Sequence, residues 1–199
     1  MSLDTDRLMG NARMHLPGAT DAAIQYELYN VLNDFFQATN AWQEDIPFGV
    51  TVGVTDYSIE QESLSSINRL MGVVDSKNAP VRAIMPTPGE ILLKYAPASS
   101  DTLTATVALT IDDPVGKDGF PDFPAWVLTK WGIGILDGLL GRLMAQPAKP
   151  YTNAALATVR TRSYLATRST AKGEVLHGNL NNGQSWRFPQ TIRTRGQRF

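Results

Sequence analysis

The chain contains no cysteine. Neither a disulfide framework nor a zinc–thiolate site is open to it, a usage that fits a reducing compartment. Histidine is nearly as scarce, with only His15 and His177. Neither has a second histidine or a cysteine at ligand spacing, so both read as solvated or structural side chains. No serine sits in a G-x-S-x-G context, and "VGKDG" lacks the upstream glycine and the following Ser or Thr of a phosphate loop. The cluster Asp112, Asp113, Asp118 and Asp122 lacks the alternating aspartates and closing glutamate of an EF-hand loop, and prolines stiffen it. It reads as a solvated turn ahead of a helix. These absences predict a protein that is not an enzyme and holds no cofactor or metal.

Long apolar runs are missing too. The opening "MSLDTDRLMGNARMH" has none of the apolar stretch of a secretory leader. The most apolar window, 125–145, is broken by Lys130, Asp137 and Arg142, which suits a buried helix better than a membrane span. What is present suffices for a core. Hydrophobic residues make up 43% of the 199 positions and charged residues 19%, so the chain is not globally disordered. The net charge of −1 hides a division. Residues 1–140 carry 8 Lys+Arg against 18 Asp+Glu, a net of −10, and residues 141–199 carry 10 against 1, a net of +9. Such halves attract each other, within one chain or between neighbouring copies.

The period of the apolar residues changes twice along the chain. Residues 1–16 are polar and irregular and read as an arm. Ile24, Leu28, Val31, Leu32, Phe35, Phe36 and Trp42 follow helical spacing behind a cap at Thr20 or Asp21, and the pattern stops at "EDIPFG", where Pro47 forbids continuation. "FGVTVGV" then sets Phe48, Val50, Val52 and Val54 on one side of a strand. "LTATVALTI" sets Leu103, Ala105, Val107, Leu109 and Ile111 on one side and Thr104, Thr106 and Thr110 on the other. With "INRLMGVVD", "PVRAIM" and "EILLKYA" between them, about five strands in a meander are expected.

Beyond Pro124, "AWVLTKWGIGILDGLLGRLMAQ" reads as a helix to Pro147. "TNAALATVRTRSYLATRSTAKG" reads as a last helix, capped by Thr152 or Asn153 and ended by Gly173. The expected fold is α+β. An α-helical bundle (17–44 and 120–173) carries an inserted antiparallel β-domain (46–112), with arms at 1–16 and 174–199.

Gly134, Gly138 and Gly141 share one face of the penultimate helix at spacings of four and three. Each costs about 1 kcal/mol of helix stability relative to alanine, so a bare stripe implies close approach of another backbone. That backbone belongs either to the bundle or to a neighbouring copy as an oligomer contact.

The chain ends "NNGQSWRFPQTIRTRGQRF". Arg187, Arg193, Arg195 and Arg198 come without an acidic residue, and Trp186, Phe188 and Phe199 have no common period. Arginine and aromatics suit phosphate contact and base stacking, so a nucleic-acid-binding module built on the basic C-terminal third is one reading. Trp and Arg are also the residues most enriched at protein interface hot spots, which makes a docking arm the other. A frayed terminus is the bland third.

Two further runs resemble a known group. "LNDFFQATNAWQEDIPFGVTVGVTDYSI", with Trp42 at the end of a helix and Tyr57 in a following turn, is similar to the opening of head-to-tail adaptor (connector) proteins of tailed bacteriophages. "FPAWVLTKWGIGILDGLLGRLMAQPAKPYTN" resembles that family's second helix and its exit, with Leu143, Met144, Pro147, Lys149, Pro150 and Tyr151 as the echo. The closing "WRFP" and arginine-rich end look alike as well.

The resemblance implies a structural virion protein in the neck, assembled in the host cytoplasm. It implies a homo-oligomeric ring, commonly dodecameric, between the portal protein and the tail or nozzle proteins. DNA would pass through that ring without specific binding, and no membrane is involved. Trp186, Arg187, Phe188, Arg193, Arg195, Arg198 and Phe199 would form the arm that docks on the portal. Some adaptors carry lytic activity, for which this chain shows no residues.

Overall fold

A computed structural model describes residues 3–60, 65–112 and 120–177. Its fold is α+β, with four helices and six strands in two small antiparallel sheets.

Helix α1 (Leu3–His15) stands where an irregular arm was expected. Thr5, Leu8, Met9, Ala12 and the following Leu16 are buried at helical spacing, and α1 packs on α2 and α3. The stripe is narrow and diluted by polar residues, so the segment reads as polar while still presenting one apolar edge. A turn through Gly18 (φ +87°) leads to α2 (Asp21–Thr39). Thr20 caps it, its Oγ1 accepting from the Ala23 N–H at 3.3 Å. Asn40 ends it in the left-handed conformation at φ 53°, its N–H donating to the Phe36 carbonyl. The helix therefore stops well before Pro47.

Strand β1 (Gln43–Val50) contains Pro47, opposite Thr104 of β6 (Asp101–Ile111). A proline is tolerated there because β1 is an edge strand, in a sheet of order β1-β6-β3 with β3 spanning Ser65–Val74. Phe48 and Val50 are buried as the alternation predicts, but Val52 and Val54 are exposed. Gly53 (φ +80°) turns the chain, and the Tyr57 hydroxyl ties that turn together, accepting from the Thr51 N–H at 3.1 Å with the Val54 carbonyl 2.9 Å away. The second sheet has the order β2-β5-β4, from β2 (Asp56–Ser58), β4 (Ala83–Ile84) and β5 (Glu90–Leu93). The expected meander is thus corrected. β6 pairs with β1, the most distant strand in sequence, and alternation along a strand carries no information about such a partner.

In β6 the five apolar residues Leu103 to Ile111 are buried as expected, but so are Ala108 and Thr110 on the other side. Helix α2 covers that end of the strand, and the Thr110 hydroxyl donates to Asn33 Oδ1. One core runs through helices and sheets, centred on Phe35, Phe36, Leu139, Leu140 and Leu143. Each such side chain contributes roughly 1.5–3 kcal/mol by leaving water.

Helix α3 (Ala125–Met144) and helix α4 (Ala154–Leu176) complete the fold. Asn153 caps α4, accepting from the Leu156 N–H at 3.0 Å. The helix runs through Gly173 instead of stopping there. At that position a Cβ would meet nothing, and the chain leaves only at His177. Among the described residues no helix is long and apolar enough to cross a membrane.

Candidate partner-binding surfaces

The glycine stripe finds its neighbour within the chain. A Cβ at Gly134 would lie 2.4 Å from Thr167, at Gly138 2.8 Å from the Tyr164 ring, and at Gly141 2.7 Å from Thr161 Oγ1. Glycine numbers fall as the partner numbers rise, so α4 runs antiparallel to α3 along the bare face. The close approach is therefore to α4. Gly134, Gly138 and Gly141 are buried beneath it, and the oligomer-contact alternative is set aside for this face.

Polar groups staple the same seam. Buried Asp137 of α3 accepts from Arg160 Nη1 at 2.5 Å and from the Ser163 hydroxyl at 2.6 Å. Asp34 of α2 accepts from Arg168 Nη1 through both oxygens, at 2.8 and 2.7 Å, and from the Tyr164 hydroxyl at 2.6 Å. Burial, followed by the hydrogen bond to Asp34, pushes the Tyr164 phenol well above the ordinary tyrosine range. It stays protonated and acts as a donor that holds α4 to α2. Both pairs join an acid of the first 140 residues to an arginine of the last 59, so part of the charge division is satisfied inside the chain.

The seven tail residues Trp186, Arg187, Phe188, Arg193, Arg195, Arg198 and Phe199 lie outside the described residues, as do Asp113 and Asp118. Of the other groups weighed for chemistry, His15 is exposed at the end of α1 and His177 exposed after α4. No group of three or more potential ligands that could hold a metal occurs among the described residues.

Two features escaped the sequence reading. The outward face of the second sheet forms a shallow depression lined by Asp56, Ser58, Glu90, Leu92 and Pro86. The register that brings Asp56 beside Leu92 and Ser58 beside Glu90 is set by pairing across 36 and 32 residues, which no local period reveals. The second feature is the outer side of α4, where Leu165 and Leu176, eleven residues apart and so on one face, are exposed. Their helical spacing was visible in the sequence, but which side would be covered was not.

Trp42, the residue that carries part of the adaptor likeness, is buried between rings, 5.5 Å from Phe36 and 6.2 Å from Phe123 by centroid. Its indole N–H donates to Glu44 Oε1 at 3.3 Å. No protein-family model matches the chain, and no curated protein matches it.

Proposed function

We propose that the chain is a structural virion protein, a head-to-tail connector that forms a ring between the portal of a phage capsid and the tail. In this reading α1 to α4 make the bundle, the six strands are its inserted β-domain, and residues 178–199 supply the arm that docks on the portal. Tail or nozzle proteins meet the ring from the other side, and DNA passes through without specific contacts.

The observation that carries the reading is the run from Leu32 to Ile59. Its helix, buried Trp42, edge strand and Tyr57-tied turn occur in the order in which the adaptor likeness places them. The arginine–aromatic composition of residues 181–199 supports the docking role. Ordering such an arm costs roughly 0.5–1.5 kcal/mol per rotamer-rich side chain, so Trp186 and Phe188 must supply much of the gain. Repetition around a ring makes a modest affinity per arm sufficient through effective concentration.

Truncation after Gly183 tests this. The shortened chain should fold and stay soluble but no longer be retained by portal rings in a pull-down. Trp186→Ala should weaken retention more than Arg198→Ala, since a desolvated aromatic anchor outweighs a screened rim charge. Retention of the truncated chain at full strength would sink the docking role. The basic C-terminal third favours a nucleic-acid module as the second reading. It predicts DNA-fragment binding that falls steeply with salt, whereas the connector binds weakly at all salt concentrations.

A further inference from the structure

We infer that in the free chain the C-terminal arm, residues 178–199, folds back and seats Trp186 and Phe188 in a groove between α1 and α3, from which the portal must take it. The inference rests on the docking-arm reading for its purpose but not for the contact itself. The groove is the first argument. It measures about 310 Å³ and is lined by Leu8 of α1 and by Leu128, Ile133 and Leu136 of α3. Leu8 and Leu128 belong to the core, whereas Ile133 is 83% exposed, more than any other large apolar side chain among the described residues. An aliphatic side chain held so far out beside an opening in the core marks a place that something apolar covers. Gly132 lines the groove too. Like the stripe facing α4 it weakens the helix, but a Cβ there would meet nothing within 4 Å. Among the described residues no neighbour accounts for that glycine, and its bareness leaves room for a ring.

The place where α4 ends is the second. Glu174 Oε2, in its last turn, lies 2.5 Å from Lys130 Nζ, so the chain leaves α4 beside the first half of α3. At about 3.6 residues per turn, Lys130, Trp126, Ile133 and Thr129 follow one another around α3 from the α4 side to the groove. Trp126 and Ile133 are exposed, as is Leu176 where α4 stops, so the path is apolar. Lys130 and Leu136 are about 9 Å apart along the axis. The chain steps from His177 to Trp186 reach up to about 30 Å, which is ample. A tether of that length gives an effective concentration on the order of mM, so a weak contact suffices. Charge adds nothing. The lining has the cations Arg7 and Lys130 and no acid, and Glu174 is already paired with Lys130. The arm's arginines gain nothing there, so burial of its rings must hold the latch, and salt should leave it closed. Such a latch is weak, as one that a partner opens has to be.

The test uses the full chain, whose lack of cysteine makes engineered thiols unambiguous. Ser185→Cys, next to Trp186, is combined in turn with Thr129→Cys or Gly132→Cys in the groove. Ser169→Cys, on the exposed side of α4, is the control. Under mild oxidation the intrachain disulfide should form roughly tenfold faster to a groove position than to the control, at any chain concentration. Ile133→Lys and Trp186→Ala should each remove that advantage, whereas Arg198→Ala should keep it. Ile133 is exposed, so the melting of Ile133→Lys should match the parent. With its arm released, the Ile133→Lys chain should also be retained by portal rings several-fold more tightly, because a partly populated competent state lowers apparent affinity.

Equal rates to groove and control positions overturn the inference. So does an advantage that survives either Ile133→Lys or Trp186→Ala. Cross-linked dimers whose yield rises with concentration overturn it as well, since the arm then covers the groove of a second copy. Portal retention separates the latch from the docking role. Equal rates in a chain that loses the portal on truncation after Gly183 remove only the latch. A groove advantage in a chain that portal rings do not retain removes the docking role and leaves the latch standing.

Discussion

Helices α3 and α4 lie side by side and are built on opposite rules. α3 buries twelve of its 20 residues, including Leu139, Leu140 and Leu143 at the centre of the core; α4 buries only three of its 23. Those three, Ala157, Tyr164 and Ala171, are spaced by sevens and form one narrow line. A helix with so little buried surface cannot be held by apolar area alone. The bare glycine face lets α4 approach α3 closely enough for dispersion contacts to accumulate, and the aspartate–arginine pairs fix its register. The price of this arrangement is that the rest of α4 faces outward, which leaves it available to a partner.

The contrast breaks most readily at Gly138. Gly138→Leu places a Cβ 2.8 Å from the Tyr164 ring and 3.0 Å from Val31, between α4 and α2 at once. The expected loss is about 3 kcal/mol, the upper end of ordinary overpacking. For a chain of this size that lowers the melting temperature by roughly 2–4 °C per kcal/mol. Gly132→Ala is the control, because a Cβ there meets nothing within 4 Å. It should be neutral or gain up to about 1 kcal/mol of helix propensity. Equal melting of the two variants would show that close approach does not hold the seam.

Next in size is the polar staple. Arg160→Ala leaves buried Asp137, whose side chain is 9% exposed, with only the Ser163 hydroxyl. An incompletely satisfied buried carboxylate costs about 1–3 kcal/mol, and partial exposure of Arg160 puts the figure at the lower end. Asp137→Asn keeps an acceptor without the charge and should cost less in urea unfolding. If Asp137→Asn is the more damaging of the two, the carboxylate matters beyond its pairing with Arg160.

The same contrast separates what was legible in the sequence from what was not. The α2 period and the β6 alternation are local signals, and both elements form where they point. The glycine stripe announced a close approach but could not name α4, because the identity of a facing helix is decided by the whole fold. α1 was missed because Leu8, Met9, Ala12 and Leu16 are too few among polar neighbours to outweigh them. The pairing of Asp34 with Arg168 joins residues 134 apart, and that of β1 with β6 depends on chain crossing; neither has a local signature. On the candidate surfaces, the basic–apolar character of α4 could be read, whereas the placing of Asp56 and Glu90 on one face of the second sheet exists only through register.

The smallest expected effect has the opposite sign and lies in the connection between the two helices. Ala148 has φ 57°, a conformation that costs a non-glycine L-residue roughly 1–2 kcal/mol. It follows Pro147, and proline before a positive-φ residue is the order found in a type II turn, where glycine is favoured second. The turn is otherwise well tied. The Asn153 N–H donates to the Met144 carbonyl at 2.9 Å, the Thr152 hydroxyl to the Gln146 carbonyl at 2.6 Å, and the Tyr151 hydroxyl to Gln146 Oε1 at 3.2 Å. Ala148→Gly relieves the strain but gives the unfolded chain more freedom, which offsets about 0.4–1 kcal/mol. The net expectation is a gain of about 0.5 kcal/mol, seen as a melting temperature higher by roughly 1–2 °C. Because Ala148 is exposed and lies outside both helices, the glycine stripe and both staples should be unaffected. A loss instead of a gain would mean that the alanine methyl stiffens the turn that sets the register of α4 on α3. The register would then depend on the loop as well as on the glycines and the aspartate–arginine pairs.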